Sequence, residues 1–593
     1  MTDPASAASA ALDFRPGSAA AEAALAEAAA RAVEQRWAER LASRDASLWS
    51  DDPTVQAAIA ARLGWLDAPA TFAERTIALE AFGEGTREAG FTAAVLGGMG
   101  GSSLAPDVLA SVFGAIPDWL PVRVLDSTDP AAVAAAVDDL DPLRTLFIVS
   151  TKSGTTAETL ALQADAWARI DRARHERHAR IGSPGELMVA ITDPEPSLRA
   201  IPHHDELREV FLNPPDVGGR YSALTYVGLV PGSLLGIDLD ALLARAMVML
   251  ADCADPDPAR NPGLALGLAI GTLAREGRDK LTFVADPEIV IFGAWAEQLL
   301  AESTGKHGVG IVPVDREPLA APEAYGGDRV FVRLALDGSA GPATGTGETA
   351  DRLLERLAAA GHPVIRIALN DPIDLGAEFV RWEVATAFAG AVLGIDPFDQ
   401  PNVEESKRSA RAVLADLGRA AAPGSEPLAR GDGLTVYGDT ALRLSAGSPD
   451  VAGELRRHLA RLRPTGYAAL QAYIAPSDGR TAALTRLRVL LRDRTRRATT
   501  VGYGPRFLHS TGQLHKGGAP IGWFLQLTAD HPADRPIPGQ PYTFGQLIDA
   551  QAAGDMQALE AHDLPILRVH LGPDPDAGLA ALERVLDAAL ATA

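Results

Sequence analysis

The sequence predicts an α/β protein whose mainly parallel sheets are covered by helices on both faces. Apolar, strand-like stretches alternate with helix-like stretches, loops rich in glycine and serine follow several strands, and a similar pattern recurs later in the chain. This alternation is typical of parallel sheets joined by crossover helices. The length of 593 residues predicts more than one domain. We expect a helical segment, two α/β domains and a C-terminal α/β unit, at residues 1–85, 86–260, 261–420 and 421–593.

Composition narrows the classes of partner. The net charge of -23 argues against nucleic acid or an anionic membrane surface as the main partner, so an anionic ligand needs a local basic site. The single cysteine, Cys253, rules out a disulfide within the chain. No run of about 18 apolar residues predicts a membrane span, and the first residues lack a signal-peptide pattern. We therefore expect a cytoplasmic protein.

The first α/β pattern follows an alanine-rich stretch, residues 19–42, that is typical of a helix. A strand, a glycine-rich turn and a helix are predicted by "FTAAVLGGMGGSSLAPDVLASVF". A second strand, loop and helix are predicted by "RTLFIVSTKSGTTAETLALQADAWARI". Ligands of parallel sheets bind at the carboxyl ends of the strands. Both glycine- and serine-rich loops occupy that position.

The second α/β pattern begins near Asn261. A strand is predicted by "KLTFVADP", a helix from about Phe292, and two further strands by "RVFVRLAL" and "HPVIRIALND", while "GSAGPATGTGE" is typical of a surface linker. Two later stretches echo those strands, "WFLQLTAD" and "DLPILRVHLG". The C-terminal unit is therefore predicted to repeat the second domain in part, after the linker "GRAAAPGSEPLARGDG".

The stretch "STKSGTT" places several hydroxyls and one lysine between a buried strand and a helix that begins near Ala157. Free backbone N–H groups at a helix N-terminus, with nearby hydroxyls, favour phosphate binding. The alternative is ordinary N-capping by serine and threonine. The ordered spacing of a P-loop is absent.

Two further segments place polar side chains next to glycine residues. The glycines of "LGGMGGSSLAP" keep side chains out of a space that backbone lines, and Arg220 follows two glycines in "DVGGRYSAL". A guanidinium there is suited to hold a developing oxyanion, and the alternative is a turn with a solvated arginine.

A glutamate near the end of a predicted helix is the candidate base. Gln298 and Glu302 are four residues apart, so they share one helical face. The negative end of the helix dipole is expected to raise the pKa of Glu302, which suits a general base. The alternative is a surface glutamate.

Two later segments contain the remaining candidate functional residues. "PFDQPNVEESK" contains Gln400 and Lys407, and "GPRFLHSTGQLHKGG" contains His509 and His515. Two histidines six residues apart, without a cysteine or an HExxH-like pair nearby, do not predict a metal site.

The segments "GGRYS" and "PFDQPNVEESK" are close to two signature patterns of the phosphoglucose isomerase family, which the chain resembles from roughly Phe91 to Lys407 and at "LHSTGQ". The resemblance implies two sugar-isomerase (SIS) αβα domains. The C-terminal part is similar to the isomerase part of transaldolase/phosphoglucose isomerase fusions.

The resemblance also implies roles for individual residues. Glu302 matches the proton-transferring base, Arg220 the arginine that stabilises an enediolate, and Lys407 and His509 the ring-opening groups. The remaining matches are expected to bind substrate: Gly101, Ser102, Thr151, Lys152, Ser153, Thr156, Gly219, Gln298 and Gln400.

The position of the histidine departs from the family pattern. The family's histidine lies between the glutamate and the FDQ segment and reaches the site from a partner subunit, whereas His509 follows the FDQ segment. The C-terminal repeat is one explanation. A homodimer is one expected assembly, and the sequence leaves open whether His509 acts in its own chain or across to a partner.

The expected activity is interconversion of glucose 6-phosphate and fructose 6-phosphate, in glycolysis and gluconeogenesis, by ring opening and a cis-enediol(ate), with no cofactor. One alternative is an isomerase that also accepts mannose 6-phosphate. Another is a non-catalytic sugar-phosphate sensor, which needs the phosphate loop but neither Glu302 nor Arg220.

Overall fold

The N-terminal part is helical after one short strand in the computed structural model, which describes residues 12–416 and 426–591. The expected single helix over residues 19–42 is wrong: two helices form, because Arg36 between them adopts a left-handed conformation (φ 54°). The elements are β1 (Asp13–Arg15), α1 (Ala19–Glu34), α2 (Trp37–Ala42), α3 (Pro53–Ala60), α4 (Ala68–Ala73) and α5 (Thr76–Glu88).

A first sheet of five parallel strands follows. Its strands are β2 (Ala93–Gly98), β3 (Val122–Leu125), β4 (Thr145–Ser150), β5 (Met188–Thr192) and β6 (Glu209–Leu212). Its helices are α6 (Leu104–Phe113), α7 (Pro130–Val137), α8 (Ala157–Glu176), α9 (Ser197–Ala200), α10 (Tyr226–Leu235) and α11 (Leu239–Asp252). The strand order is β3-β2-β4-β5-β6. Every residue of the neighbouring strands β2 and β4 is buried, as expected for a parallel sheet covered on both faces.

The second sheet is parallel except at one edge. Its strands are β7 (Lys280–Ala285), β8 (Val312–Val314), β9 (Arg329–Leu336) and β10 (Val364–Leu369). Its helices are α12 (Pro262–Arg275), α13 (Phe292–Thr304), α14 (Ala350–Ala359), α15 (Leu375–Leu393) and α16 (Val403–Asp416). The order is β1-β10-β9-β7-β8, and β1 pairs antiparallel with β10. The N-terminal segment thus adds an edge strand to this sheet, which the sequence did not predict.

The third sheet belongs to residues 426–591, called the third unit below. Its strands are β11 (Ala429–Gly431), β12 (Leu434–Gly438), β13 (Tyr467–Tyr473), β14 (Ala498–Tyr503), β15 (Gly522–Thr528) and β16 (Ile566–His570). Its helices are α17 (Thr440–Leu444), α18 (Val451–Leu459), α19 (Asp478–Thr495), α20 (Gly512–Gly517), α21 (Phe544–Ala561) and α22 (Pro575–Leu590). The order is β11-β12-β16-β15-β13-β14.

The second and third sheets share one topology. Each contains four mutually parallel strands, of which the first in sequence lies between the second and the third, and the fourth follows the third. An antiparallel strand pairs with the fourth. The predicted α/β class with mainly parallel sheets is therefore confirmed. One apolar core unites the N-terminal helices with the first two sheets, and the third sheet has a core of its own. None of the helices in the described ranges is both long and apolar enough to cross a bilayer.

Candidate functional site

A cavity of about 490 Å³ lies where loops at the carboxyl ends of the first two sheets meet the third unit. Its wall combines backbone from two glycine-rich loops with charged and hydroxyl side chains. Among the residues that line it are Gly101, Ser102, Lys152, Ser153, Thr155, Thr156, Glu158, Asp193, Gly219, Arg220, Gln298, Glu302, Gln400, Arg411, His509 and Gln551. Most of the residues predicted to bind substrate therefore share one cavity.

Residues 151–156, called the hydroxyl loop below, connect β4 to α8, which begins at Ala157 as expected. Thr156 stands at the N-cap of α8, yet its side chain makes no capping hydrogen bond. The capping alternative is therefore wrong for Thr156, whose side chain does not occupy the N-terminal N–H groups of α8, the kind of groups that favour anion binding. Thr151 is buried behind the loop, where its hydroxyl bonds to that of Thr156 at 3.2 Å. Thr151 thus supports the loop rather than lining the cavity.

Lys152 lines the cavity with its ammonium group already held. Its Nζ donates to Asp193 Oδ2 at 2.5 Å and to the Pro215 carbonyl at 3.1 Å. Burial raises the pKa of Asp193, and the lysine opposes that shift. The two bonds fix the position of the lysine ammonium group at this end of the cavity.

The glycine-rich loops lack side chains where two segments of the backbone approach each other closely. A Cβ on Gly101 would lie 2.3 Å from the Gly219 carbonyl carbon and oxygen. Gly100 has a φ of +55°, and a Cβ there would lie 2.6 Å from the His509 carbonyl oxygen. Only glycine fits either place, as the sequence predicts.

Arg220 is buried, so the alternative of a solvated arginine is wrong. Its Nε donates to Ser303 Oγ at 2.7 Å and its Nη1 to Gln400 Oε1 at 2.8 Å. Its Nη2 donates to two carbonyls of the loop before Gln400. Nη1 also lies 3.8 Å from Glu302 Oε1. The guanidinium thus fixes a loop and stands beside the candidate base.

Glu302 is also buried, near the end of α13, so the surface alternative is wrong here too. Gln298 Nε2 donates to Glu302 Oε2 at 3.1 Å and to the His509 carbonyl at 2.7 Å. The pKa of Glu302 is raised, as expected, but the main cause is burial rather than the helix dipole; Arg220, His509 and Lys306 oppose the shift.

His509 enters the cavity wall from a turn of the third unit. Its Nε2 lies 2.9 Å from Glu158 Oε1, and Gln551 Nε2 donates to the same oxygen at 2.8 Å. Gln551 Oε1 in turn accepts from Thr128 at 2.7 Å. This chain of bonds fixes the plane of the imidazole. No other described side chain hydrogen-bonds to its Nδ1.

His515, six residues later, is buried between Tyr467 and Phe524, and burial holds its pKa well below the usual histidine range. His515 is therefore a core residue. Within residues 12–416 and 426–591, no three His, Cys, Asp or Glu side chains are placed to hold a metal ion.

Lys306 is a buried cation that sequence reasoning missed. Its Nζ donates to the carbonyls of Asp396 and Asp399 at 2.7 Å each and to Asp399 Oδ1 at 2.5 Å. Burial lowers the pKa of Lys306 to about 8, with a further decrease from Arg220. Lys306 and Arg220 together hold the loop that supplies Gln400.

Other members of the site had weak signals in the sequence. Glu158 lies in the first turn of α8, where an acidic residue usually indicates only a favourable interaction with the helix dipole. Gln551 lies within the long helix α21 and carries no local signal. Lys407 lies in α16, and its side chain is outside the described residues.

The chain is similar in sequence to known proteins. A sequence model of the phosphoglucose isomerase family matches residues 19–323, just over half of the chain. A glucose-6-phosphate isomerase of Rubrobacter xylanophilus is 32% identical over 412 residues, 62% of this chain and 93% of the relative. A probable glucose-6-phosphate isomerase of Natronomonas pharaonis is 32% identical over 350 residues, 54% of this chain and 78% of the relative.

A solved structure is similar over a comparable share. A hypothetical protein of Thermus thermophilus matches with a TM-score of 0.54 and 26% identity, over 68% of this chain and 100% of that one. These relatives are matched over most or all of their own length, while about a third or more of this chain lies outside each match.

Proposed function

Because the chain belongs to the phosphoglucose isomerase family, we propose that it is an aldose–ketose isomerase that interconverts glucose 6-phosphate and fructose 6-phosphate. One observation carries the proposal: the buried Glu302 and Arg220 line the same cavity as the hydroxyl loop. A proton-transferring pair and an anion cradle therefore face one bound molecule.

The phosphate binds at the hydroxyl loop in this proposal. Ser153, Thr155 and Thr156 offer hydroxyls, the first turn of α8 offers N–H groups, and Lys152 offers a positive charge. Ser102 and the backbone of Gly101 lie on the adjoining wall. Holding the phosphate places the sugar carbons within the cavity and removes the entropy cost of finding the reacting geometry.

Glu302 transfers the proton between C1 and C2. A carboxylate whose pKa is raised by burial is a better proton acceptor than an ordinary glutamate. The negative charge that forms on the enediolate oxygen is stabilised by Arg220, whose Nη1 lies 3.8 Å from Glu302. Gln298 orients the carboxylate through its 3.1 Å bond.

Ring opening is assigned to His509, with Lys407 as its expected partner. In the tautomer in which His509 Nε2 carries the proton and donates a hydrogen bond to Glu158, the neutral imidazole has its lone pair on Nδ1. Nδ1 can then accept the proton of a ring hydroxyl and return it to the ring oxygen.

A sugar-phosphate sensor would need the anion cradle alone. The buried placement of both Glu302 and Arg220 at the cavity wall favours catalysis instead, since each costs desolvation that binding a phosphate does not require. Acceptance of mannose 6-phosphate concerns only the configuration at C2 and is measured in the same assay.

The test is a coupled assay that converts fructose 6-phosphate to glucose 6-phosphate. Glu302→Gln keeps the shape of the side chain and should lower kcat by roughly 10²–10⁴-fold, with KM nearly unchanged. Glu297→Gln is the matched control, because Glu297 precedes it on α13 but lines a separate pocket of about 130 Å³. Near-normal kcat in Glu302→Gln, or an equal loss in both variants, would refute Glu302 as the base.

A further inference from the structure

The second and third sheets lie edge to edge through corresponding strands. β8 and β14 are each the second of the four parallel strands of their sheet in sequence, and they lie against each other. Across this boundary Thr499 of β14 donates its hydroxyl to Glu317, just after β8, at 2.8 Å. Two units of equal topology that meet through the same edge form a pseudo-twofold pair, as in an isologous dimer.

The loops that follow these two strands cross the boundary in both directions. Residues 504–517 after β14, called the histidine loop below, reach the end of α13. There Gln513 Nε2 donates to the Gly305 carbonyl at 2.9 Å, and the His509 carbonyl accepts from Gln298. In the opposite direction the loop after β8 reaches α19, where Arg488 Nη1 donates to the Asp315 carbonyl at 2.8 Å.

Of these two contact regions, only the one between the histidine loop and α13 contains residues of the proposed reaction. The helix α13 presents Gln298 and Glu302, whereas α19 presents Arg488 and Arg492, whose guanidinium groups bond to backbone carbonyls of the loop after β8. That loop, residues 315–328, contains no histidine. The hydroxyl loop belongs to the first sheet, and the described residues hold no corresponding sheet beside α19.

The third unit is firmly attached to the rest of the chain. Arg506 in the histidine loop pairs with Asp107 at 2.7 Å and with Asp126 at 3.2 Å, both from the first α/β region. Arg535 pairs with Asp165 of α8 at 2.9 Å. Apolar residues of the third unit, Ile537, Phe544 and Leu547, join the main core. Ion pairs and a shared apolar core thus join the third unit to the first α/β region.

From this arrangement we infer that the third unit takes the place of a second subunit, so that each chain holds one complete catalytic site with His509 supplied in cis. The inference rests on the proposed function for the identity of the site. The contact between α19 and the loop after β8 serves only to join the second and third sheets. A second copy of the chain is not needed to complete the site, whether or not the protein associates through another face.

The test uses two variants that each remove one half of the chemistry. Glu302→Gln and His509→Asn, carrying different affinity tags, are co-expressed, and any double-tagged species is purified through both tags. With His509 in cis, every chain is defective, and the activity stays at the mean of the two variants. With His509 in trans, such a mixed dimer has one intact site of its two and regains about half of wild-type activity, which would overturn the inference.

The control is wild type co-expressed with His509→Asn, whose double-tagged species should keep about half of wild-type activity in either case. If no double-tagged species forms, an active wild type works as single chains, which also supports the inference. Wild-type chains that fail to convert fructose 6-phosphate refute the proposed function instead.

Binding gives a test that does not depend on turnover. Calorimetric titration of the full chain with an open-chain polyol phosphate, sorbitol 6-phosphate, should find one site per chain. The affinity should not change between concentrated and dilute protein. One site per two chains, or affinity lost on dilution, would overturn the inference.

Discussion

Replacing Glu158 by glutamine should slow ring opening while leaving the proton-transfer pair intact. In the structure one carboxylate oxygen of Glu158 faces both His509 Nε2, at 2.9 Å, and Gln551 Nε2, at 2.8 Å. An amide oxygen in its place can still accept hydrogen bonds, but it is uncharged and therefore a weaker acceptor, and the amide NH₂ group competes with the donors around it. The imidazole then loses the group that fixes its tautomer.

The magnitude follows from the bond that is weakened. A buried hydrogen bond to a charged group contributes about 1.5–3 kcal/mol. Since 1.36 kcal/mol corresponds to a factor of ten in rate, turnover limited by ring opening should fall roughly 10- to 150-fold. The rate of proton transfer itself should fall much less, because Glu302 and Arg220 keep all of their partners.

The assay separates the two steps. Turnover of fructose 6-phosphate reports both of them. Deuterium exchange at C1 of a 5-deoxy ketose 6-phosphate, which cannot close a furanose ring, reports proton transfer alone. Glu176→Gln, at the exposed far end of α8, is the matched control and should change neither. Equal losses in both assays for Glu158→Gln would refute the positioning role, and thermal unfolding shows whether the variant folds.

Three more outcomes follow from the same geometry. Because burial raises the pKa of Glu302 and the base must be ionised, kcat/KM should fall with decreasing pH at values above the usual glutamate range; an acidic limb at or below about 4.5 would contradict this. The pKa of Lys306 is lowered to about 8, so its bonds to Asp399 weaken as pH rises through that value. Lys306→Met should raise KM several-fold and remove any alkaline limb near pH 8, whereas a profile identical to wild type would show that the lysine does not act on the loop. Gly101→Ala places a Cβ 2.3 Å from the Gly219 carbonyl, so kcat should fall at least 10-fold with the fold retained by circular dichroism; wild-type kcat would show that the loops can move apart.

The sequence predicts those parts of the site that depend on residues close together in the chain. A strand followed by hydroxyls and a helix defines the hydroxyl loop, and a spacing of four residues places Gln298 beside Glu302. Close backbone approach requires glycine at Gly101. Each of these depends on neighbours within a few residues, which is the range over which sequence patterns report structure.

The remainder depends on contacts between distant parts of the chain. Glu158 and Gln551 are separated by 393 residues, so neither could be connected to His509 from spacing alone. β1 forms the edge of a sheet whose next strand, β10, begins at Val364. The same limit explains why the direction of the Glu302 pKa shift is predicted correctly and its cause is not. The helix dipole is a local property, whereas burial is decided by every element that packs around α13.

The unusual position of His509 in the sequence can be interpreted from the topology of the second and third sheets. From the sequence, His509 was equally compatible with action in its own chain or across to a partner. We infer action in its own chain from the strand order of the second and third sheets, because the histidine loop follows β14 while the loop in the corresponding position after β8 has no histidine. Glu302 and His509 therefore stand on opposite members of one pseudo-twofold pair. Neither His515 nor His362 should compensate for loss of His509, since His515 is in the core and His362 is buried against Tyr325 and Phe331.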